Sequence, residues 1–270
     1  MESSIDLSKY QSFITETRLV KKIGKVKKII GMVLEGEGPP CAVGANCTIF
    51  PLSGKSPVKA QVVGFKDNKT LLMPLGDIFG IEPGSKIEAE EDSPSFSVTP
   101  DLIGRVIDGE GIPIDGKGHI PLGTQYPLMG SHINPLERNR ISEPLNMGVR
   151  AINGLLTCAK GQRIGIMAGT GVGKSVLMGM IARNTSADLN VIALIGERGR
   201  EVKEFIDENL GPEGLKKSIV VVATAEQPPP VRLRGAYIAT TIAEYFRDQG
   251  KNVILMMDSI TRFAMANREI

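Results

Sequence analysis

The eight residues Ala168-Gly169-Thr170-Gly171-Val172-Gly173-Lys174-Ser175 constrain this chain more than any other stretch. They follow an apolar run, Ile164–Met167, which reads as a buried strand over 163–167. They precede Val176, Leu177, Met180 and Ile181, whose spacing marks one face of a helix. A strand, a glycine-rich turn and a helix N-terminus together make a phosphate cradle. Without Cβ atoms in the way, backbone N–H groups can crowd around phosphate oxygens, and the helix end adds partial positive charge. In this cradle Lys174 is placed to reach the β- and γ-phosphates, and the Ser175 hydroxyl to meet Mg²⁺. The cradle is expected to run from Ala168 to Val176. Ala168 stands where the usual pattern has glycine, one methyl larger. The competing reading is a glycine-rich turn that binds nothing, and Gly-Lys-Ser at a strand–helix junction argues against it.

Two further carboxylates close later apolar runs. Val253–Met257 ends in Asp258, which suits a Mg²⁺ ligand acting through water. Val191–Ile195 ends in Gly196-Glu197-Arg198-Gly199-Arg200-Glu201. Glu197 at that strand end is placed to polarise an attacking water, worth about 10²–10⁴ in rate. Its plainer reading is an acid facing a helix dipole. Arg198 and Arg200 read as phosphate or subunit contacts, or as surface charge. Arg262, one helical turn beyond Asp258, is a candidate γ-phosphate sensor.

The order of elements defines the class. Val20–Glu91 alternates short Val/Ile/Leu runs with Gly, Pro and Asn: Lys28–Leu34, Cys47–Leu52, Val58–Phe65, Thr70–Pro74 and Lys86–Ala89. This spacing predicts a small β-barrel over 20–92. Residues 1–19 form an N-terminal segment with a weak amphipathic pattern through Leu7, Tyr10 and Ile14. A Ser/Pro/acidic stretch from Glu90 to Pro100 reads as the linker. Over 93–270, apolar strands alternate with helices near 149–156, 174–184, 201–210 and 231–248. Continuously apolar strands between helices predict a mostly parallel sheet covered on both faces, an α/β fold.

Composition sets limits. A net charge of +2 across 270 residues gives no bulk attraction to nucleic acid or membrane. The basic residues do cluster, in Arg18, Lys21, Lys22, Lys25, Lys27 and Lys28. That run reads first as a solvated strand edge and second as a docking patch for an anionic membrane or acidic partner. Cys41, Cys47 and Cys158 form no C-x-x-C pair, which argues against zinc and a disulfide framework and fits a reducing cytosol. His119 and His132 sit in Gly/Pro-rich loops. Base-stacking aromatics are few in the barrel, Phe50 and Phe65 among them, so an RNA-translocase reading is set aside.

From Glu90 onward the chain resembles the catalytic domain of the F/V-type rotary ATPases, and within them the flagellar and type III secretion branch. The residues carrying this are Ala168–Ser175, Ile195–Val202, Ala243–Gly250 and Met256–Ala264. Ala168 is usual in that branch, and the β-rich N-terminus suits its barrel. The resemblance implies a RecA-like phosphate-loop fold after the barrel, with ATP and Mg²⁺ as substrate and cofactor. It implies a hexameric homo-oligomer in the cytoplasm, peripheral to the inner membrane, working with an export apparatus, an ATPase regulator, chaperones and export substrates. A rotary synthase subunit fits less well because its phosphate loop usually differs at Gly169–Val172. A non-catalytic ring subunit fits less well because it lacks the carboxylate at Glu197. The sequence stops at Arg268-Glu269-Ile270 inside a helical pattern. The arginine finger, the adenine contact and a helical C-terminal domain of this family are therefore expected outside these residues, leaving the sheet incomplete.

Overall fold

A computed structural model describes residues 20–90, 94–130, 133–169 and 171–270. The helical reading over residues 1–17, Arg18, His132 and Thr170 fall outside them. The chain divides into two compact units between Asp92 and Ser93.

The first unit is a closed antiparallel barrel. Its strands are β1 (Ile23–Ile30), β2 (Val33–Glu37), β3 (Asn46–Phe50), β4 (Val58–Lys66), β5 (Lys69–Pro74) and β6 (Lys86–Ala89), in the order β1-β2-β5-β4-β3-β6. Closure leaves no free edge. Alternate residues point inward, so Leu34, Cys47, Ile49, Val62, Leu72 and Ile87 fill the interior. The apolar run 28–34, expected as one strand, is instead the corner of a hairpin. Gly31 at φ 59° turns the chain, and Ile30 faces Val33 across the ladder. Hydrophobicity here marks two strands whose boundary only the glycine betrays.

The basic run on β1 meets acids from neighbouring strands. Lys21 pairs with Glu88 at 2.6 Å and Lys27 with Glu37 at 2.7 Å. Ion pairing on the solvated face of the barrel thus supports the plainer surface reading for these two lysines, although closure leaves no strand edge there. Phe79 is a third barrel aromatic, exposed like Phe65, whereas Phe50 lies under the Lys86 ammonium.

The second unit is built on a four-stranded parallel sheet. Its strands β8 (Val106–Asp108), β10 (Leu189–Ile195), β11 (Ser218–Ala223) and β12 (Val253–Asp258) lie in the order β12-β10-β11-β8. A separate antiparallel pair joins β7 (Ser95–Val98) to β9 (Thr124–Pro127). The helices are α1 (Arg150–Leu155), α2 (Lys174–Asn184), α3 (Gly199–Glu204), α4 (Gly211–Lys216), α5 (Pro229–Asp248) and α6 (Ile260–Glu269). A π-helical turn, Phe205–Leu210, joins α3 to α4. The expected single helix over 201–210 is therefore two geometries in series.

Both faces of the sheet are buried, with the two-residue period of a strand. Val191, Ala193 and Ile195 face α5 together with Ile219, Val221 and Ala223. Ile192, Leu194, Val220 and Val222 face α2 and the π-turn. Continuous burial explains why these strands show no alternation in sequence.

The expected strand over 163–167 is absent. Residues 163–169 run without ladder partners, Met167 is 95% exposed, and the sheet ends at β12. An apolar run signals a capacity for burial. A strand also needs a neighbour to take its N–H and C=O groups, and no described strand lies alongside these residues.

Helix α2 packs on the π-turn with no room to spare. A Cβ on Gly179 would stand 2.3 Å from the Asn209 carbonyl oxygen. Gly179→Ala should therefore destabilise the second unit by about 1–3 kcal/mol despite alanine's better helix propensity. Thermal denaturation checks this, and an unchanged or raised midpoint would show that the π-turn can move aside.

Candidate nucleotide site

Parallel strands deliver their C-terminal ends to one edge, and the sequence places its chemistry at those ends. Leu194 of β10 lies opposite Asp258 of β12, and Ile195 lies opposite Ala223 of β11. The loops beyond are laced together. Gly196 N–H donates to the Ala223 carbonyl at 2.6 Å, Ser259 N–H to Ile195 at 3.3 Å, and Ala225 N–H to the Glu197 carbonyl at 3.1 Å. Glu197 is thereby fixed at its backbone beside the end of β12.

The phosphate loop leads into α2 as its glycines require. Gly171 and Gly173 hold φ of 79° and 96°, and Gly173 is the residue before the first helical turn. Ala168, Gly169, Gly171, Val172 and Gly173 are exposed, as is Val176, while Ser175 is half-buried in the first turn. Lys174 Nζ donates to Asp258 Oδ1 at 2.6 Å. Asp258 is only 5% exposed, and a buried carboxylate needs such a partner. Two residues 84 positions apart thus meet in one site.

Glu197 is half-buried, and its proton is held unusually firmly. Burial, a hydrogen bond with Glu201 and the charge of Asp258 raise it to about 7, and the nearby Lys174 ammonium opposes them. Glu197 keeps the proton and donates it to Glu201. That bond holds Glu201 below the usual carboxylate range, with Arg198 adding to the effect. A carboxyl poised near neutrality has the balance of acid and base that proton transfer asks for. It also weakens the fold as pH climbs from the ordinary Glu range through about 7, because the unfolded chain gives up the proton first.

Arg198 itself lies largely in solvent and spends Nη1 on Glu201 at 3.0 Å. Arg262 is brought to the Glu197 loop. The hydroxyl of Ser259 caps its helix by accepting from Arg262 N–H at 3.3 Å. The Arg262 stem packs on Gly196 so closely that a Cβ there would lie 2.7 Å from it.

Two contributors escape sequence reading. Glu201 stands four residues after Glu197, a spacing that was available as a signal once 199–204 was known to be helical. Arg232, at the start of α5, donates to the Gln227 carbonyl at 3.1 Å and pairs with Glu269 near the end of α6. Gln227 Oε1 in turn accepts from Thr224 N–H at 3.0 Å, which shapes the loop that holds Glu197. Nothing local in the sequence links residues 37 positions apart.

A parallel sheet, a glycine loop running into a helix, and a lysine meeting an aspartate at the strand ends define a phosphate-loop nucleotide-binding protein. The chain belongs to the ATP synthase alpha/beta family. That family's beta-barrel domain matches residues 26–90, and its nucleotide-binding domain matches 148–270. It is 55% identical over 263 residues to the flagellum-specific ATP synthase of Bacillus subtilis, covering 95% of this chain and 59% of that protein. It is 46% identical to a type 3 secretion system ATPase of Xanthomonas euvesicatoria, covering 93% and 57%. Among solved structures it resembles the assembled ATPase EscN in complex with its central stalk EscO, from the enteropathogenic E. coli type III secretion system. The TM-score is 0.83 at 44% identity, over 91% of this chain and 60% of that one. The chain thus spans under two thirds of the length of these relatives.

Replacing Glu201 by Ala should bring the Glu197 midpoint down from about 7 towards the ordinary Glu value of 4.5. A carboxyl ¹³C NMR titration of the nucleotide-free chain reads this directly. A midpoint that stays near 7 would assign the whole shift to burial and Asp258.

Proposed function

We propose that this chain is the nucleotide-hydrolysing part of a flagellar protein-export ATPase. The observation that carries the reading is the meeting of Lys174, Asp258 and Glu197 at one sheet edge. Lys174 binds the β- and γ-phosphates, with the backbone of Ala168–Val176 around them. In the absence of nucleotide its charge rests on Asp258, so phosphate replaces one anionic partner by another. Thr170 and Ser175 complete the loop's donors.

The Ser175 hydroxyl and the Asp258 carboxylate are hard oxygen donors, a set that suits Mg²⁺. When bound, the ion supplies charge neutralisation at the phosphates. Glu197 orients the attacking water and accepts its proton, and Glu201 fixes the direction of the Glu197 carboxyl. Arg262 is placed to meet the γ-phosphate. Arg198 acts on the site through Glu201.

Identity to the Bacillus subtilis protein favours flagellar export. A virulence-type secretion ATPase is the second reading, supported by the likeness to EscN. In either case we infer a ring-shaped homo-oligomer, hexameric in the working state, as the assembled EscN relative suggests. Its partners are a central stalk, a regulator, chaperones and export substrates. We place it in the cytoplasm. Among the described residues no helix is long and apolar enough to cross a membrane. Contact with the membrane surface belongs to the exposed Lys25 and Lys28 on β1.

Lys174→Ala should weaken MgATP binding by at least about tenfold, since a charge-assisted bond is lost. Isothermal titration measures this, and unchanged affinity would remove the loop from the site. In the full-length gene product, Glu197→Gln should keep nucleotide affinity while turnover falls by about 10²-fold or more. Hydrolysis near the unmutated rate would leave Glu197 a helix-end acid only.

A further inference from the structure

The barrel, the unit that does not carry the phosphate loop, holds two cysteines in contact. Cys47 lies on β3 with its side chain wholly buried in the barrel core, and Cys41 is half-buried and packs against that core. Their thiols are hydrogen-bonded to each other, and Cys41 Sγ also donates to the Pro39 carbonyl at 3.2 Å.

The backbone holds this pair together from both sides. Before Cys41 runs Gly38-Pro39-Pro40, whose prolines have little freedom. Gly38 is pressed against Gly24 so tightly that a Cβ on Gly24 would lie 2.3 Å from the Gly38 carbonyl carbon. After Cys41 the chain turns through Ala42–Ala45, closed by Ala45 N–H donating to Ala42 at 3.2 Å. Three bonds tie this turn to β4. Gly44 N–H donates to Val62 at 2.7 Å, Val62 N–H to Ala45 at 2.9 Å, and Gln61 Nε2 to Gly44 at 3.1 Å. The backbone around Cys41 is thus tied in place beside the barrel core that holds Cys47.

We propose that Cys41 and Cys47 form an oxidisable dithiol in the barrel wall, in which Cys41 meets hydrogen peroxide and Cys47 resolves the product into a disulfide. The half-buried Cys41 sulfur attacks the peroxide. An S–O bond forms, the O–O bond breaks, Cys41 loses two electrons, and one oxygen leaves as water. The Cys47 sulfur then attacks the sulfenic sulfur. The S–S bond forms as the S–O bond breaks, and the departing hydroxide takes the Cys47 proton as a second water. Two thiols and one peroxide thus give one disulfide and two waters. The division of roles follows from access and from charge, because burial and the neighbouring Cys41 push the Cys47 thiol up to about 12. Cys47 stays protonated and sheltered until its partner is oxidised. Cys158, buried in the second unit, meets the Leu156 carbonyl at a distant 3.9 Å and serves as an internal control.

The test is peroxide titration of the purified 270-residue chain, followed by alkylation under denaturing conditions and non-reducing peptide mapping. The expected result is loss of two alkylatable thiols, a Cys41–Cys47 cross-linked peptide and an alkylated Cys158. In Cys47→Ser, Cys41 sulfenic acid should persist at least about tenfold longer, trapped by dimedone, because its resolving thiol is gone. Three alkylatable thiols after treatment of the unmutated chain would overturn the proposal. So would Cys41 recovered as sulfinic acid beside an alkylated Cys47.

Discussion

The ion pair between Lys174 and Asp258 organises the second unit's chemistry. Asp258 ends the edge strand β12 with its side chain buried, where an unpaired carboxylate would be costly. Lys174 begins a helix whose preceding residues, 163–169, have no ladder to anchor them. The 2.6 Å contact therefore serves both elements: it neutralises the buried acid and fixes the start of α2 over the strand ends. In the function we propose, a phosphate arriving at the loop competes with Asp258 for one ammonium.

The second carboxylate works on a different principle. Asp258 is paired with a lysine, while burial, a hydrogen bond with Glu201 and the charge of Asp258 raise the proton affinity of Glu197. Two chemically similar carboxylates at neighbouring strand ends thus sit in different environments. Glu201 accepts from Glu197, which holds Glu201 below the usual carboxylate range, and the Arg198 guanidinium adds to that effect. The rigid backing is the lacing of loops 196–197, 224–228 and 258–259, with Arg232 tied to the end of α6.

The two units reach stability by different means. The barrel closes its sheet on itself, and its acids on β2 and β6 answer the lysines of β1. The second unit covers both faces of a parallel sheet and depends on close backbone approaches, such as Gly179 against Asn209 and Gly148 against Asn184.

Local chemistry in the sequence determined a good deal. Glycine at 171 and 173, the helical period after Lys174, and the apolar runs closing at Ile195, Ala223 and Met257 are properties of short segments. They placed the helix over 174–184 and the carboxylates at strand ends. Where pairing decided, the sequence was insufficient. The run 28–34 is one apolar stretch but two strands, because ladder partners and Gly31 set the corner. The run 163–167 has the apolar pattern of a strand and is none, because a strand exists only against a neighbour. The bend of 199–210 into a π-turn reflects packing against α2. The raised proton affinity of Glu197, the turning of Arg198 to Glu201 and the reach of Arg232 to Glu269 arise from side chains brought together through space. Sequence fixes what each segment can do alone; only tertiary structure decides which charges meet and how deeply they are buried.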